Sequence, residues 1–408
     1  MVPCRSLVLS QSRAGLGSCR VIDPDHILQA LDAGRWVPLA DAPVPLPQDL
    51  FPPGPGVVVR SGGSSGGRRW CLQPRHHLDA SAAATATWLQ GIEMDPKRSL
   101  VLNPLPIHHV SGLMPWWRAR SWGVPHHRLP SKLMKQPGEL LRHCRDLPEW
   151  SNRSVLLSLV PTQLGRLLSD PAGREFLGEM RVIWVGGASL AKPLAEQARA
   201  GGIPLAPCYG ATETAAMVTA LSPQQFLAGD SSCGAPLSDV ELRLGVDGAL
   251  EVRTQRLALG SWRDEQPDVL LPVANSMGWW RSGDRAQING GLVIGGRLDT
   301  ALNCGGETVF PEQLEVRLMR EIRVAGLPVE SVLFLGMDDP EWGQRLVTLA
   351  RASNPVVLEQ LAAMTADWPA SDRPRRWVLC PELAPTDAGK WQRQAWRDWL
   401  KRLDLAQG

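Results

Sequence analysis

The chain has 408 residues, 44% of them hydrophobic, and a formal net charge of +2. This length and apolar fraction exclude an intrinsically disordered protein and leave room for one large multi-lobed domain or two to three smaller ones. A charge so close to zero gives no reason to expect a nucleic-acid or membrane-surface partner.

Cysteine usage and the length of apolar runs bear on the compartment. Eight cysteines occur without a CxxC pair or a regular spacing, so neither a zinc site nor a disulfide framework is indicated, and a reducing cytoplasm is favoured. The apolar run at the start of the chain is too short for a signal peptide, and no stretch approaches the ~18 apolar residues of a membrane span. We expect a soluble, cytoplasmic protein.

The first fifty residues show little periodicity, and residues 37–56 have the composition of a proline-rich connector. The stretch VVVRSGGSSGGRRW, residues 57–70, follows. Its three valines predict a buried strand. The Gly/Ser run after them is either a flexible linker or a loop that holds phosphate with backbone N–H groups, hydroxyls and arginines. Neither the Walker nor the Rossmann spacing is present, so this stretch alone leaves both interpretations open.

Predicted helices and strands alternate between residues 77 and 213. In chain order the segments are a helix HLDASAAATATWLQGI, strands SLVLNPLPI and SVLLSLVP, a helix TQLGRLL opened by Thr162, a strand MRVIWVGGA, a helix LAKPLAEQARAGG ending at Gly201, and a strand IPLAPCYGATE. Such alternation predicts a parallel sheet with helices on both faces, whose ligands lie at the carboxyl ends of the strands.

The pattern changes near residue 238. Two hairpins are predicted, one turning at Asp247-Gly248 and the other at Asn289-Gly290. Beyond Arg297 two helices and three strands precede a closing helix from about Gln392, which together predict a small α+β unit. The predicted fold class is therefore α/β. It comprises an N-terminal body with a parallel sheet and a small β-rich section, residues 1–296, and a C-terminal α+β domain, residues 297–408.

Five segments, in order along the chain, resemble the motifs of the AMP-forming acyl-CoA synthetases and the wider superfamily of adenylate-forming enzymes. They are SGGSSGGRR as the phosphate loop, YGATE as the adenine and magnesium motif, GWWRSGD as the ribose motif, GRLDTALNCGGETVFPEQLE as the hinge segment, and PTDAGKWQR as the C-terminal lysine motif. Each is weak alone, but their order favours the phosphate-loop interpretation over a linker. PLPIHHVSGL, SLVPTQL and WVGGASL further resemble the o-succinylbenzoate–CoA ligases of menaquinone and phylloquinone synthesis.

This resemblance implies a ligase that uses ATP, Mg²⁺ and coenzyme A to activate a small carboxylic acid. By the matching motifs, Tyr209 and Gly210 would hold adenine, Thr212 would donate to the α-phosphate, and Glu213 would hold magnesium, a cation that prefers carboxylate oxygen. Asp284 would accept the ribose hydroxyls. The remaining nucleotide-binding residues implied are Ser61, Gly63, Ser64, Ser65, Gly66 and Arg69 in the phosphate loop, and Arg297, the partner of Asp284.

Lys390 is the main catalytic residue that the resemblance implies. Its ammonium group would bridge the substrate carboxylate and an α-phosphate oxygen. The chain has only six lysines, at 97, 132, 135, 192, 390 and 401, so one retained inside a motif carries weight. The C-terminal domain would be a mobile lid that turns about a hinge at Asp299. It would bring in Lys390 first and then set Gly305 and Gly306 against the pantetheine of CoA.

The resemblance also implies residues for the acid. His109 matches the pocket histidine, and His108 and Gly187 match wall positions. Succinylbenzoate is a dianion on an aromatic ring, so Trp116 or Trp117 would suit the ring, and Arg118 or Arg120 the unreacted carboxylate. The alternative for these tryptophans and arginines is simple packing on a helix.

Two departures from the family pattern stand out. The phosphate loop ends Gly67-Arg68-Arg69 where proline and lysine are usual, and only about sixty residues precede it, so we expect an abbreviated N-terminal subdomain. Two other functions therefore stay open. One is a ligase for another aryl, fatty or amino acid, although PIHHVSGLMPWWRARSW offers no acidic partner for an amine. The other is a non-catalytic nucleotide-binding relative.

Overall fold

A computed structural model describes residues 23–40, 51–61, 69–263, 266–386 and 391–407. Its first elements are α1 (Pro24–Asp32), β1 (Trp36–Pro38), β2 (Gly56–Ser61), β3 (Arg69–Pro74) and α2 (Arg75–Gly91). β1 pairs parallel with β2, and β3 pairs antiparallel with it. The Gly/Ser stretch therefore connects two paired strands of a hairpin. The short elements α1 and β1 had no counterpart in the sequence prediction, which found little pattern there.

A seven-stranded sheet occupies the middle of the chain. Its strands and helices are β4 (Ser99–Asn103), α3 (Val110–Trp122), β5 (His126–Arg128), α4 (Pro137–Arg145), β6 (Ser154–Leu159), α5 (Pro161–Leu168), α6 (Pro171–Gly178), β7 (Val182–Val185), α7 (Lys192–Ala200), β8 (Leu205–Ala211), β9 (Ala216–Ala220), α8 (Pro223–Leu227) and β10 (Ala235–Pro236). The order is β10-β9-β8-β7-β6-β4-β5. The five strands from β5 to β8 are parallel, as predicted, and β9 and β10 are antiparallel.

Both faces of this sheet are buried. Leu100 and Leu102 of β4 pack in one hydrophobic core and Val101 in another, because successive side chains of a strand point to opposite faces. One detail of the helix prediction is wrong. Thr162 does not open α5, because Pro161 already takes its first position and Val160 precedes it. Proline suits a first helical position, since the N–H it lacks would have no partner within the helix there.

The β-rich section contributes to two sheets. Its strands are β11 (Val240–Leu244), β12 (Ala249–Thr254), β13 (Ser261–Arg263), β14 (Gln266–Leu271), β15 (Trp280–Ile288) and β16 (Leu292–Arg297). β13 and β14 extend the first sheet to β1-β2-β3-β13-β14, and the other four form an antiparallel sheet, β11-β12-β15-β16. Both predicted hairpins are confirmed, with Gly248 and Gly290 at φ of 75° and 73° in their turns.

The C-terminal part is an α+β unit with hydrophobic clusters of its own. Its elements are β17 (Leu302–Cys304), β18 (Glu307–Val309), α9 (Pro311–Ala325), β19 (Val329–Asp339), β20 (Gly343–Ala352), α10 (Val357–Met364), β21 (Arg376–Leu379) and α11 (Arg393–Gln407). The mixed α/β class with a parallel sheet is thus confirmed. Among the described helices, none combines the length and apolar character needed to cross a membrane.

Candidate active site

Three residues implied by the motifs meet where β8 approaches β15 and β16. The phenol of Tyr209 donates a hydrogen bond of 2.5 Å to Oδ2 of Asp284. Asp284 lies opposite Arg297 in the β15–β16 ladder, and Nη1 of Arg297 is 3.4 Å from Asp284 Oδ1. An aromatic ring, a carboxylate and a guanidinium therefore share one corner of the molecule, beside the carboxyl end of a strand of the parallel sheet.

The protonation states at this corner follow from burial. Asp284 is 8% exposed, and burial raises its pKa although the Tyr209 hydroxyl and Arg297 lower it. Burial and then the neighbouring Asp284 charge raise the pKa of Tyr209 well above its usual value. Tyr209 therefore stays protonated at neutral pH and serves as a donor to Asp284.

The turn after Tyr209 is fixed by hydrogen bonds to its backbone carbonyl oxygens. Thr212 and Glu213 lie half-buried in a 3₁₀ turn, Thr212–Thr214, between β8 and β9. Each of the six carbonyl oxygens from residue 212 to residue 217 accepts a hydrogen bond. The donors, in that order, are Gln73 Nε2 (2.8 Å), the Ala258 N–H (2.7 Å), Arg256 Nη1 (2.6 Å), Ser81 Oγ (2.7 Å), Thr214 Oγ1 (2.6 Å) and Arg256 Nη2 (3.0 Å).

The backbone of this turn is strained. Ala215 and Ala216 have φ of 50° and 87°, a region that residues with a Cβ rarely adopt and that costs on the order of 1–3 kcal/mol per residue. Gly210 is needed just before the turn, because a Cβ there would lie 2.2 Å from the Ala216 carbonyl oxygen. Such strain persists only where the surroundings fix it, and it is typical of functional turns.

The donors to this turn lie outside every motif identified in the sequence. Gln73, Ser81 and Arg256 are each fully buried. The only signal available from the sequence was a polar residue inside an apolar stretch, such as Ser81 in the alanine-rich α2. That signal does not say what the side chain reaches.

The structure places only part of the phosphate loop. Ser61 and Arg69 face each other at the ends of β2 and β3, with Ser61 8% exposed and Arg69 half-buried. The other implied residues of this loop, Gly63, Ser64, Ser65 and Gly66, lie outside the described residues, as does Lys390.

The chain just after Lys390 is firmly anchored. Nη1 and Nη2 of Arg393 bind the two carboxylate oxygens of Glu315 at 2.7 and 2.8 Å, and Nη1 also donates to the Phe334 carbonyl at 2.9 Å. Glu312 lies 3.2 Å from Arg393 and also accepts a hydrogen bond of 2.8 Å from Thr300. The base of the lysine segment is thereby linked to the segment that follows Asp299.

The implied hinge residue pairs with the ribose-side arginine. Asp299 accepts two hydrogen bonds from Arg297, at 2.8 and 2.6 Å, which raise the pKa of that arginine. In the loop between β17 and β18, Gly305 has φ of 64° and packs on the ring of Trp342, which leaves no room for a Cβ. Gly306, at φ of 86°, faces open space.

The residues implied for the acid differ in position and exposure. His109 precedes α3, its ring 4.4 Å from that of His108, whose pKa is lowered by burial and by Arg128. Gly187 is exposed after β7, at φ of 81°.

Trp117 is a core residue as it stands. Its side chain has no exposed surface, and its indole N–H donates to Asp79 at 2.9 Å. It belongs to one hydrophobic cluster with residues of α1 and β1, the elements that the sequence did not predict. With no exposed surface, it offers no free face to a ligand as the structure stands. Arg120 lies exposed over the Trp117 ring, 5.7 Å from its centroid. The alternative of packing on a helix therefore accounts for both residues.

Arg118 behaves differently from its neighbours on α3. It is 4% exposed and lies 5.4 Å from the ring centroid of Trp184. Among the described residues, neither its Nε nor Nε1 of Trp184 has a hydrogen-bond partner. Burial lowers the pKa of Arg118 to about 10, so it stays charged at neutral pH. A buried cation with a free donor is costly without an anion, and so this position is suited to an acidic ligand.

Glu213 is the only metal ligand that the motifs imply. The described part of the chain holds no cluster of three or more His, Cys, Asp or Glu side chains fit to bind a metal ion. A magnesium ion beside Glu213 would then take most of its oxygen ligands from nucleotide phosphates and water. Magnesium in sites that bind nucleotide phosphates commonly does so.

Several known proteins are similar to this chain. Residues 74–255 match the AMP-binding enzyme family. The 2-succinylbenzoate–CoA ligase of Salmonella typhimurium is 31% identical over 80% of this chain, and that of Escherichia coli is 31% identical over 74%. The chain spans 65% and 60% of the length of these two relatives. Wild-type E. coli MenE, solved with a bound analogue of OSB-AMS, is 29% identical, with a TM-score of 0.60 over 85% of this chain and 69% of that one.

Proposed function

Residues 74–255 of this chain match the AMP-binding enzyme family, and from this match we propose that the protein is an AMP-forming acid–thiol ligase. In this reaction a carboxylate attacks the α-phosphate of ATP and pyrophosphate leaves. The thiol of coenzyme A then attacks the acyl adenylate and AMP leaves. The observation that carries the proposal is the corner formed by Tyr209, Asp284 and Arg297 beside the strained turn of Thr212 and Glu213.

Each group at this corner has a role in holding the nucleotide. The Tyr209 ring stacks on adenine, Asp284 accepts the ribose hydroxyls, and Arg297 keeps the Asp284 carboxylate ionised and in place. Thr212 would donate to the α-phosphate, and Glu213 would hold magnesium, whose positive charge would stabilise the negative charge of the phosphates. Ser61 and Arg69 flank the loop that contributes Gly63, Ser64, Ser65 and Gly66 to the phosphates.

The adenylation step requires a cation that contacts both reactants. Lys390 supplies it from the C-terminal domain, residues 297–408, which acts as a lid on the body, residues 1–296. Asp299 is the hinge residue of this proposal, and the loop of Gly305 and Gly306 meets the pantetheine in the second step. The anchor of Arg393 on Glu315 supports this role, because it keeps the base of the lysine segment on the lid as the lid turns.

The acid that suits the site best is 2-succinylbenzoate. Arg118 supports this choice, since a buried guanidinium with an unpartnered Nε can pair with the carboxylate that does not react. We assign the wall of the acid site to His108, His109 and Gly187. Both sequence relatives named above carry the name of this ligase. The proposed product, its CoA thioester, belongs to menaquinone or phylloquinone synthesis.

ATP–pyrophosphate exchange with a panel of acids tests the proposal. The panel includes 2-succinylbenzoate, 4-oxo-4-phenylbutanoate, benzoate, a medium-chain fatty acid and the amino acids. Exchange that is fastest with 2-succinylbenzoate and needs magnesium supports the proposal. Faster exchange with another acid would assign a different ligase, and no exchange with any acid would favour a non-catalytic nucleotide-binding protein.

A further inference from the structure

Arg256 lies just beyond β12 and is fully buried. Its Nε and Nη2 bind the carboxylate of Asp239 at 2.7 and 3.2 Å. Nη1 donates to the Thr214 carbonyl at 2.6 Å, and Nη2 donates to the Met217 carbonyl at 3.0 Å. One guanidinium thus ties the two sides of the strained segment to a single carboxylate.

We propose that Arg256, with Asp239 as its counter-ion, is a positioning residue that fixes the turn presenting Thr212 and Glu213 to the nucleotide phosphates. The inference rests on the proposed function. Ala215 and Ala216, the two alanines at positive φ, lie between the carbonyls that Arg256 binds. Without that bridge the backbone can relax toward ordinary φ values, and relaxation there swings the preceding turn.

The contacts of Arg256 separate two sides of the site. Its hydrogen bonds go to Asp239, Thr214 and Met217 and, within the described residues, to neither Tyr209 nor Asp284. Loss of Arg256 should therefore disturb the magnesium and α-phosphate side while the adenine and ribose side is kept. A residue that merely stabilised the fold would weaken both sides together.

The chain offers a direct probe of the adenine side. Tyr209 is the only tyrosine in the sequence, so biosynthetic labelling with 3-fluorotyrosine gives a single ¹⁹F resonance that reports nucleotide binding. AMP titrations of the labelled protein measure adenine and ribose recognition without turnover. ATP titrations at graded Mg²⁺ concentrations measure the metal side on the same resonance.

Three variants carry the test. Arg256→Met removes the donors and keeps an unbranched side chain. Arg256→Lys keeps the charge and can restore one carbonyl contact. Arg256→Met combined with Asp239→Leu removes the buried pair as a unit, which avoids an uncompensated carboxylate and restores stability. Arg253→Met is the matched control, because Arg253 lies three residues earlier in the chain, at the end of β12, in an exposed pair with Glu241.

The expected result is a split between binding and chemistry. AMP affinity of Arg256→Met stays within about threefold of the parent, while pyrophosphate exchange falls about thirtyfold, which corresponds to about 2 kcal/mol at the transition state. The Mg²⁺ concentration for half the ATP response rises at least about threefold. Arg256→Lys recovers part of the rate of pyrophosphate exchange. The double variant recovers the melting temperature of the parent but not its exchange rate. Arg253→Met changes neither the exchange rate nor the melting temperature.

Two results would overturn the positioning role. One is recovery of exchange in the double variant, which would show that the pair only stabilises the fold. The other is an unchanged Mg²⁺ requirement in Arg256→Met. If the parent shows no exchange with any acid, the proposed ligase activity fails by itself. The Mg²⁺ dependence of the ¹⁹F response to ATP still decides the role of Arg256, since it needs no turnover.

Discussion

Replacing Arg118 by methionine should have opposite effects on stability and on substrate selection. The guanidinium is 4% exposed, and burial lowers its pKa to about 10, which corresponds to about 3 kcal/mol of unfavourable burial. Against this stands the contact with Trp184, worth about 1–2 kcal/mol for a desolvated cation–π pair. Methionine keeps the packing of the stem, so Arg118→Met should stabilise the free protein by about 1–2 kcal/mol.

The effect on the substrate has the opposite sign. Truncating one partner of a buried charge pair costs about 2–4 kcal/mol, or about 30- to 1000-fold in kcat/KM. This loss should appear with 2-succinylbenzoate. It should be nearly absent with 4-oxo-4-phenylbutanoate, which lacks the ring carboxylate. Arg120→Met is the matched control, because Arg120 is exposed on the same helix and should alter neither quantity by much.

Two measurements decide this prediction. Urea unfolding followed by tryptophan fluorescence gives the free energy of unfolding of the parent and of both variants. Pyrophosphate exchange with the two acids gives the selectivity. If Arg118→Met unfolds more easily and keeps the parent's preference between the two acids, then Arg118 is a packing residue and the reasoning from its unpartnered Nε is wrong.

Three further predictions concern other residues. Lys390→Ala should slow adenylate formation about a hundredfold, as loss of a transition-state contact of about 3 kcal/mol implies, and should spare thioester formation from supplied acyl adenylate. Lys401→Ala is its control, and equal loss in both steps would reject the assigned role. Glu213→Gln should raise the magnesium requirement of exchange, and an identical magnesium titration would remove Glu213 from the metal site. Burial lowers the pKa of His77 from 6.5 to about 4, so this side chain takes up a proton more readily in the unfolded chain. The free energy of unfolding should therefore fall as the pH drops from about 6.5 to 4. His77→Gln should flatten that dependence in urea unfolding, and an unchanged slope would contradict it.

Much of the fold was predictable because its signals are local. The alternation of strands and helices, the glycine at the end of α7 and the two hairpin turns each occupy a few adjacent residues. The meeting of Tyr209, Asp284 and Arg297 was expected from motif order, since the family resemblance assigns all three to one nucleotide.

What the sequence did not reveal depends on contacts between distant residues. Arg256 reaches back 42 positions to the Thr214 carbonyl, and Gln73 reaches 139 positions forward to Thr212. No periodicity or spacing marks such pairs. The same holds for Trp117, which lies in one hydrophobic cluster with residues of α1 and β1, two elements that the sequence did not predict. Tertiary packing decides these cases, and local pattern does not report it.

Transfer of a carboxylate oxygen tests the central claim most directly. The acid is labelled with ¹⁸O in both carboxylate groups and incubated with the protein, ATP, Mg²⁺ and CoA, and the nucleotide product is analysed by mass spectrometry. Attack of the carboxylate on the α-phosphate predicts AMP that carries one ¹⁸O atom, formed together with the CoA thioester. Unlabelled AMP, or ADP with the label in inorganic phosphate, would contradict the account.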